Sequence, residues 1–305
     1  MMRLVPALFA IAVVLTPAAG GGRASPPPPV EAAVISTGEA PCGAAARAGF
    51  LWVGVYGAGT LLRVDQRGRV ATRVRVGRSA CRVAVGPAAV WVTRDRAGEV
   101  VRLALGSGRR LRVKVAAEPF DVLLAAGSAW VTSYATGLVT RLDSRTGRRT
   151  FMARVGENPA GLASCGGRVW IGHGRNASWL TSIHPTTLRV RRFPLKVVAP
   201  GWPQCIRDDL WVTTPDSVLR LDARTGHVLR RLRLGETLAD VAAGPDGLVW
   251  VTDKEHSVVH RVTPDGRSVV DSFPAGPGAF ALARAGDSMW VTSFAGADVR
   301  RYDRR

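Results

Sequence analysis

A seven-bladed β-propeller is the fold class this sequence predicts, and three observations predict it. Seven of the nine tryptophans (Trp52, Trp91, Trp130, Trp170, Trp211, Trp250 and Trp290) recur at separations of 39 to 41 residues inside a shared "WVT"-like segment. Only Trp179 and Trp202 stand outside the period. Each unit reads as four short apolar or alternating runs separated by turn residues. No window follows a helical period. Four strands in roughly forty residues, repeated seven times, is the pattern of propeller blades. At 305 residues, 47% hydrophobic and 21% charged, the chain is long and apolar enough to build one large all-β unit.

Within a unit the first strand is small and apolar, as in "RVAVG" (82–86) and "DVAAG" (240–244). The second carries the tryptophan in a continuous apolar run, because neighbouring blades cover both of its faces. The wedge between blades widens outward, and burying roughly 200 Å² of indole there contributes on the order of 5 kcal/mol as an upper figure. These tryptophans therefore read as core. The third strand ends on a basic–apolar–Asp signature, "LLRVD" (61–65), "VTRLD" (139–143), "VLRLD" (218–222) and "VRRYD" (299–303). A turn such as "SRTG" (144–147) or "ARTG" (223–226) follows, its Gly supplying positive φ. The fourth strand is arginine-rich, as in "ATRVRVG" (71–77) and "LRRLRLG" (229–235). The seventh unit ends after its third strand. Gly38 precedes Cys42 as Gly77 precedes Cys81, which puts "EAAVIST" (31–37) in fourth-strand register. That strand is expected to pair with 298–303, closing the ring and removing two open edges. The propeller is assigned to 31–305.

Ahead of it, "MMR" is a short basic start and "LVPALFAIAVVLTPAAG" an apolar run too short to span a bilayer comfortably. Cleavage sites are expected after Ala18, Gly20 or Ala24, so 1–24 reads as a secretory signal and 25–30, with "SPPPP", as a semi-rigid linker. An uncleaved anchor is the competing reading, and Pro6 and Pro17 count against it. The expected location is secreted or cell-envelope.

The formal charge is +19, almost all of it arginine, with lysine only at 114, 196 and 254. Most arginines fall on third and fourth strands, among them Arg63, Arg73, Arg75, Arg141, Arg189, Arg191, Arg220 and Arg231, and are expected around the outer rim. A solvated rim protecting exposed edges is one reading. A phosphate-binding girdle, or adhesion to anionic envelope polymers or lipid head groups, is another and would be salt-dependent. No motif supports sequence-specific nucleic-acid recognition. Four cysteines in an exported chain suggest two bridges. Cys42 and Cys81 share one repeat position in units one and two, and Cys165 and Cys205 lie near another in units four and five. Inner strands about 8 Å from the axis would put neighbouring equivalents about 7 Å apart, so adjacent blades are the only ones a bridge reaches. Cys42–Cys81 and Cys165–Cys205 are predicted; free buried thiols are the alternative.

The unit "G-x-x-P-x-x-V-A-x-G-x-x-x-W-V-T … G-x-V-x-R-L-D-x-x-T-G" is similar to YVTN-type and NHL-like propeller repeats of secreted bacterial proteins. The segment "GPDGLVWVTDKEHSVVHRVTPDG" (244–266) resembles a blade of the virginiamycin B lyase family. The resemblance spans 31–305 and is specific for fold; propellers host many functions. It implies a Mg²⁺ site at Asp253 and Glu255 with His256 as general base, acting on an enolate-like charge. His173, read as facing the channel mouth, is the other candidate base. The acid that lyase-like repeats carry after the Trp motif is matched only by Asp253; the other units place Val55, Arg94, Ser133, His173, Thr214 and Ser293 there. A polar turn without catalytic role therefore competes with the lyase reading. His184, His227 and His260 read as surface or packing residues.

Propeller ligands meet the face built from the loops that join second to third strands and one blade to the next. Here those loops nominate Tyr56, Arg94, Asp95, Phe120, Asp121, Tyr134, Arg175, Trp202 and Phe294. The expectation is a monomeric, exported, non-catalytic propeller without a cofactor, binding a small molecule or an extracellular protein or polymer on this face. Two alternatives stand beside it: a Mg²⁺-dependent lyase or hydrolase, and a basic envelope-associated structural protein.

Overall fold

The computed structural model describes residues 26–304, so the assigned leader 1–24 lies outside the described residues. The chain forms seven four-stranded antiparallel sheets in a ring, β1 to β28, with one 3-10 turn at Asp95–Ala97. Among the described residues no helix is long and apolar enough to cross a membrane. The ring closes as expected: β1 (Val30–Ser36) pairs with β28 (Asp298–Asp303), Val34 opposite Arg300 and Ser36 opposite Asp298, completing the seventh blade.

All seven repeat tryptophans are buried. Each lies on its blade's second strand, and in six blades the residue directly opposite on the third strand is an arginine: Arg63, Arg102, Arg141, Arg220, Arg261 and Arg301. Blade four has Ser182 instead. Several of these guanidiniums lie over aromatic rings, Arg63 at 3.5 Å from the Phe50 centroid and Arg141 at 5.3 Å from Trp130. Four also donate across to the next blade's third-to-fourth-strand turn. Arg102 reaches the carbonyl of Ser144 (3.0 Å), Arg141 that of Pro185 (3.1 Å), Arg220 that of Asp265 (3.3 Å) and Arg301 that of Gln66.

Blade six has no such turn ahead of it, because blade seven takes its fourth strand from the N-terminus. Its Arg261 donates instead to the carbonyls of Pro27 (2.9 Å) and Pro26 (3.1 Å), and pairs with Asp246 and Asp271. Arg261 is fully buried. Five of these six third-strand arginines are therefore inter-blade braces, while Arg63 packs on Phe50 and Trp52 of its own blade; the rim expected from the sequence is built from the fourth strands.

The threonine of the "WVT" motif stitches inner strands together. Thr132 Oγ1 accepts from the amide of Asp121 in its own blade (3.0 Å) and donates to the carbonyl of Ala160 in the next (2.7 Å). Thr252 does the same between Asp240 and Phe280. Both predicted disulfides are present, with Cα–Cα distances of 4.8 Å for Cys42–Cys81 and 5.2 Å for Cys165–Cys205. The first joins the starts of β2 (Pro41–Arg47) and β6 (Ala80–Val85). The second joins the far ends of β14 (Pro159–Cys165) and β18 (Trp202–Ile206), on the opposite face of the ring.

Candidate functional site

The starts of the inner strands line one mouth of the channel, and three blades place aromatic rings there. Phe120 is the second residue of β10 (Pro119–Ala125), Trp202 opens β18, and Phe280 is the second residue of β26 (Ala279–Ala285). Tyr134 and Phe294 come from the second-to-third-strand loops of blades three and seven. The rings form one chain: Tyr134 to Phe120 at 4.9 Å between centroids, Phe120 to Trp202 at 5.3 Å, Trp202 to Phe280 at 5.9 Å and Phe280 to Phe294 at 5.9 Å. Each is half-buried, so each keeps solvent-facing surface. Gly161 makes room for this assembly, since a Cβ there would lie 2.9 Å from the Trp202 ring and 2.8 Å from the Gly201 carbonyl.

Cations flank the rings. Lys254 Nζ is 5.1 Å from the Phe294 centroid and 5.8 Å from that of Phe280, and Arg175 lies 5.9 Å from Tyr134. The Arg82 guanidinium packs at 4.4 Å on the Trp202 ring. Arg82 comes from blade two and sits between Asp121 of blade three (3.4 Å) and Asp240 of blade six (3.9 Å). The remaining capacity of both carboxylates is taken by backbone amides: Asp121 accepts from Val122 and Leu162, and Asp240 from Val241 and Leu282. Desolvation pushes both carboxyls up, against the lowering influence of Arg82. This charge cluster packs against the aromatic rings, and burial of its two carboxylates at 6% and 5% exposure makes it a support for the rings. Asp121, nominated as a ligand contact, belongs to that support.

A second group stands on blade six. Asp253 ends β23 (Val249–Asp253) and is buried, in space that Gly235 leaves open; a Cβ on Gly235 would lie 2.0 Å from Asp253 Oδ2. Its Oδ1 accepts the backbone N–H of His256 (3.0 Å), and its Oδ2 lies 2.9 Å from His256 Nδ1. The carboxylate fixes the tautomer with the proton on Nδ1, leaving Nε2 as the ring's basic atom. The hydrogen bond and the charge of Asp253 raise the His256 pKa. Burial pushes Asp253 up, but the His256 amide and ring outweigh it and hold it below the ordinary carboxylate range. On the buried side, His260 Nε2 lies 3.7 Å from Asp253 Oδ2 and its Nδ1 is 2.7 Å from Ser272 Oγ. Desolvation lowers the His260 pKa. Glu255 is exposed. Among the described residues no group of three or more histidine, cysteine or acidic side chains could hold a metal ion. With both Asp253 oxygens engaged by His256, the donor set does not fit Mg²⁺ at Asp253 and Glu255.

The remaining nominated residues fall elsewhere. His173 is in the interior, not at the channel mouth: it is fully buried, its Nδ1 2.7 Å from the Glu157 carbonyl and its Nε2 2.9 Å from Thr181 Oγ1. Desolvation lowers its pKa to about 4. Tyr56 donates to Asp95 (3.0 Å), while Arg94 pairs with buried Glu99 and donates to the Arg78 carbonyl. These form a local group on blades one and two. Sequence reasoning missed Arg82, Asp240, Phe280 and His260. The signal for the first three was the interruption of small residues at the start of the inner strands.

No family model matches the chain. Its fold is that of the virginiamycin B lyase propellers. A catalytically inactive virginiamycin B lyase from Staphylococcus aureus, solved with quinupristin, superimposes with a TM-score of 0.79 at 14% identity, covering 89% of this chain and 98% of that one. BamB from Moraxella catarrhalis matches at a TM-score of 0.64 and 17% identity over 88% and 85% of the two chains. Hydrazine synthase from Kuenenia stuttgartiensis matches at 0.75 and 13% over 88% and 97%. In sequence, core trichothecene cluster protein 14 of Fusarium sporotrichioides is 32% identical over 123 residues, 36% of this chain. That match spans 32% of the relative's length.

Proposed function

We propose that this chain is an exported binding propeller whose ligand rests on the aromatic surface at the channel mouth. One observation carries the reading: five half-exposed rings from three non-adjacent blades meet in a single chain of contacts, with Lys254 and Arg175 at its borders. Clustered aromatic groups outside the core, supported by a satisfied polar cluster, are what a recognition surface requires. The chemistry fits a ring-bearing small molecule or an aromatic side chain of an extracellular partner, with an anionic group reaching the flanking cations. Two disulfides suit an oxidising compartment. The test is a calorimetric screen of the exported chain against aromatic cyclic peptides and aryl glycosides. Binding is expected for the wild type and lost in Trp202→Ala and Phe294→Ala. Hits that survive both substitutions would place the site elsewhere.

The Asp253–His256 pair favours a second reading, proton abstraction from a ligand on the same face. The buried carboxylate orients the ring and stabilises the imidazolium as Nε2 takes a proton. A Mg²⁺-dependent lyase of the kind the resemblance implies would need donors this pair does not supply. His256→Ala separates the readings: binding retained with turnover lost supports the base, and both unchanged supports binding alone.

A further inference from the structure

The fourth strand of each blade is its solvent edge, and charge is not spread seven-fold over those edges. On five consecutive blades it reads VATRVR (β5, Val70–Arg75), RLRVK (β9, Arg110–Lys114), RTFMAR (β13, Arg149–Arg154), VRRFP (β17, Val190–Pro194) and VLRRLR (β21, Val228–Arg233). Every one of these carries two or three cations and no acid. On the two blades that flank the closure it reads VVDSFP (β25, Val269–Pro274) and VEAAVIS (β1), with no cation and one acid each. Both acids are already paired, Asp271 with Arg261 and Glu31 with Arg300.

Two ordinary explanations fail on this asymmetry. Protection of an exposed edge needs a charge or a proline on every edge; β25 and β1 meet that need with single acids, and β25 with Pro274 as well. Edge protection does not call for two or three charges of one sign on five neighbours. A general preference for arginine would act on all seven blades alike. The arc concentrates positive potential on one side of the ring, which is a property of a docking surface.

Its spacing and chemistry indicate the partner. Residues two apart on a strand project to one side about 6.6 Å apart, as do Arg73 and Arg75, or Arg110 and Arg112. Arg112 and Lys114 share Glu99, and Arg231 and Arg233 share Asp216. Among the described residues the other arc arginines have no carboxylate in salt-bridge range. Guanidinium forks match phosphate oxygens two at a time, and the arc contains a single lysine. We propose that the fourth strands of blades one to five form a track for a phosphodiester polyanion, held without sequence preference, with the two closing blades left off it. This track is independent of the aromatic mouth.

The test is fluorescence anisotropy of the exported chain with two phosphodiester probes, a thymidine 30-mer and a glycerol-phosphate polymer, and with polyglutamate as a carboxylate control. Binding to at least one phosphodiester probe is expected to weaken with salt, log K falling by about 0.7 per phosphate engaged on a single strand. The quadruple variant R73E/R75E/R110E/R112E is expected to lose at least thirtyfold in affinity and to flatten that slope. A control reversing four exposed arginines off the arc, R47E/R207E/R267E/R284E, is expected to lose less than threefold. The neutral variant R73Q/R75Q/R110Q/R112Q reports the slope alone if charge reversal perturbs the fold. Binding of only one phosphodiester probe supports the track and names the phosphate's source. Equal losses in arc and control variants, or polyglutamate bound as tightly as either phosphodiester, would overturn it.

Discussion

The Trp–Arg pairs and the inner-strand starts are two repeat positions of the same blades, and they behave oppositely. At the first, six of seven blades place arginine opposite the buried indole. At the second, seven blades present Gly43, Arg82, Asp121, Gly161, Trp202, Asp240 and Ala281. Uniformity marks the ring's architecture, a sum of near-equal neighbour contacts. Variation marks the place where blades two, three, five, six and seven contribute different groups to one assembly.

Breaking the uniform position should cost stability, and breaking the varied one should cost function. The largest effect is expected from the element that closes the ring. Removing residues 31–36 strips β28 of its partner and reopens two edges, so thermal melting should show either no cooperative transition or a midpoint lower by more than about 15 °C. An unchanged midpoint would refute ring closure as a source of stability.

The direct comparison is between two tryptophans. Trp250→Ala empties a fully buried site and should destabilise by about 3–5 kcal/mol in denaturant melts. Trp202→Ala, at the half-buried mouth, should cost less than half as much while abolishing ligand binding. If the two substitutions are equally destabilising, the mouth is core and the functional reading of its rings falls.

Next come the disulfides, one on each face. Each closes a loop of about forty residues, worth about 4 kcal/mol at most in the chain-entropy account and less in practice. Cys165→Ser/Cys205→Ser should lower the melting temperature without touching binding, because that bridge lies on the face away from the aromatic mouth. A loss of affinity would mean the two faces are coupled.

The smallest effect is a pH dependence. His173 is held neutral in the fold, with its pKa at about 4 against 6.5 for the unperturbed group. Between those values the unfolded chain takes up a proton that the native chain refuses, so stability falls as pH drops from 6.5 towards 4. The full loss is about 3 kcal/mol, read as a declining denaturation midpoint. His173→Gln should flatten that slope. His256 has the opposite sign: its pKa is raised, so what its pairing contributes is present at low pH and fades as pH rises through the raised value.

The fold was legible because its determinants are local and recur. Trp spacing, turn glycines and the missing fourth strand of unit seven are all visible along the chain. Closure by 31–37, set one residue later at each end than the observed Val30–Ser36, and both disulfides followed from counting repeat positions. The aromatic mouth was legible in part. Tyr134, Phe120, Trp202 and Phe294 stood out as large residues in loops or at loop edges. Phe280 did not, because it precedes an ordinary "ALARA" run. Arg82 and Asp240 sit in strands that read as small and apolar; Asp121 was nominated as a loop contact, but its pairing through Arg82 crosses from blade two to blades three and six. His173 was misplaced because its position, three residues after the blade Trp, reads as the start of a loop, whereas its equivalents Val55, Ser133, Thr214, Asp253 and Ser293 are buried as it is; the neighbouring Trp179, 5.4 Å away, helps cover it.

By itself the sequence determined the architecture: a forty-residue period that only a closed ring of blades satisfies, an N-terminal strand to complete it, and cysteines on adjacent units. Tertiary structure alone decided what the varied positions do. Residues 82, 121 and 240 have no relationship along the chain, yet the ring brings them around one axis. Five of the third-strand arginines, identical in sequence to rim charges, become braces because each lies opposite an indole and reaches a carbonyl beyond its own blade, four of them in the next blade's turn and Arg261 in the N-terminal segment. Spacing along a repeat encodes which residues are equivalent; only closure of the ring fixes which of them meet.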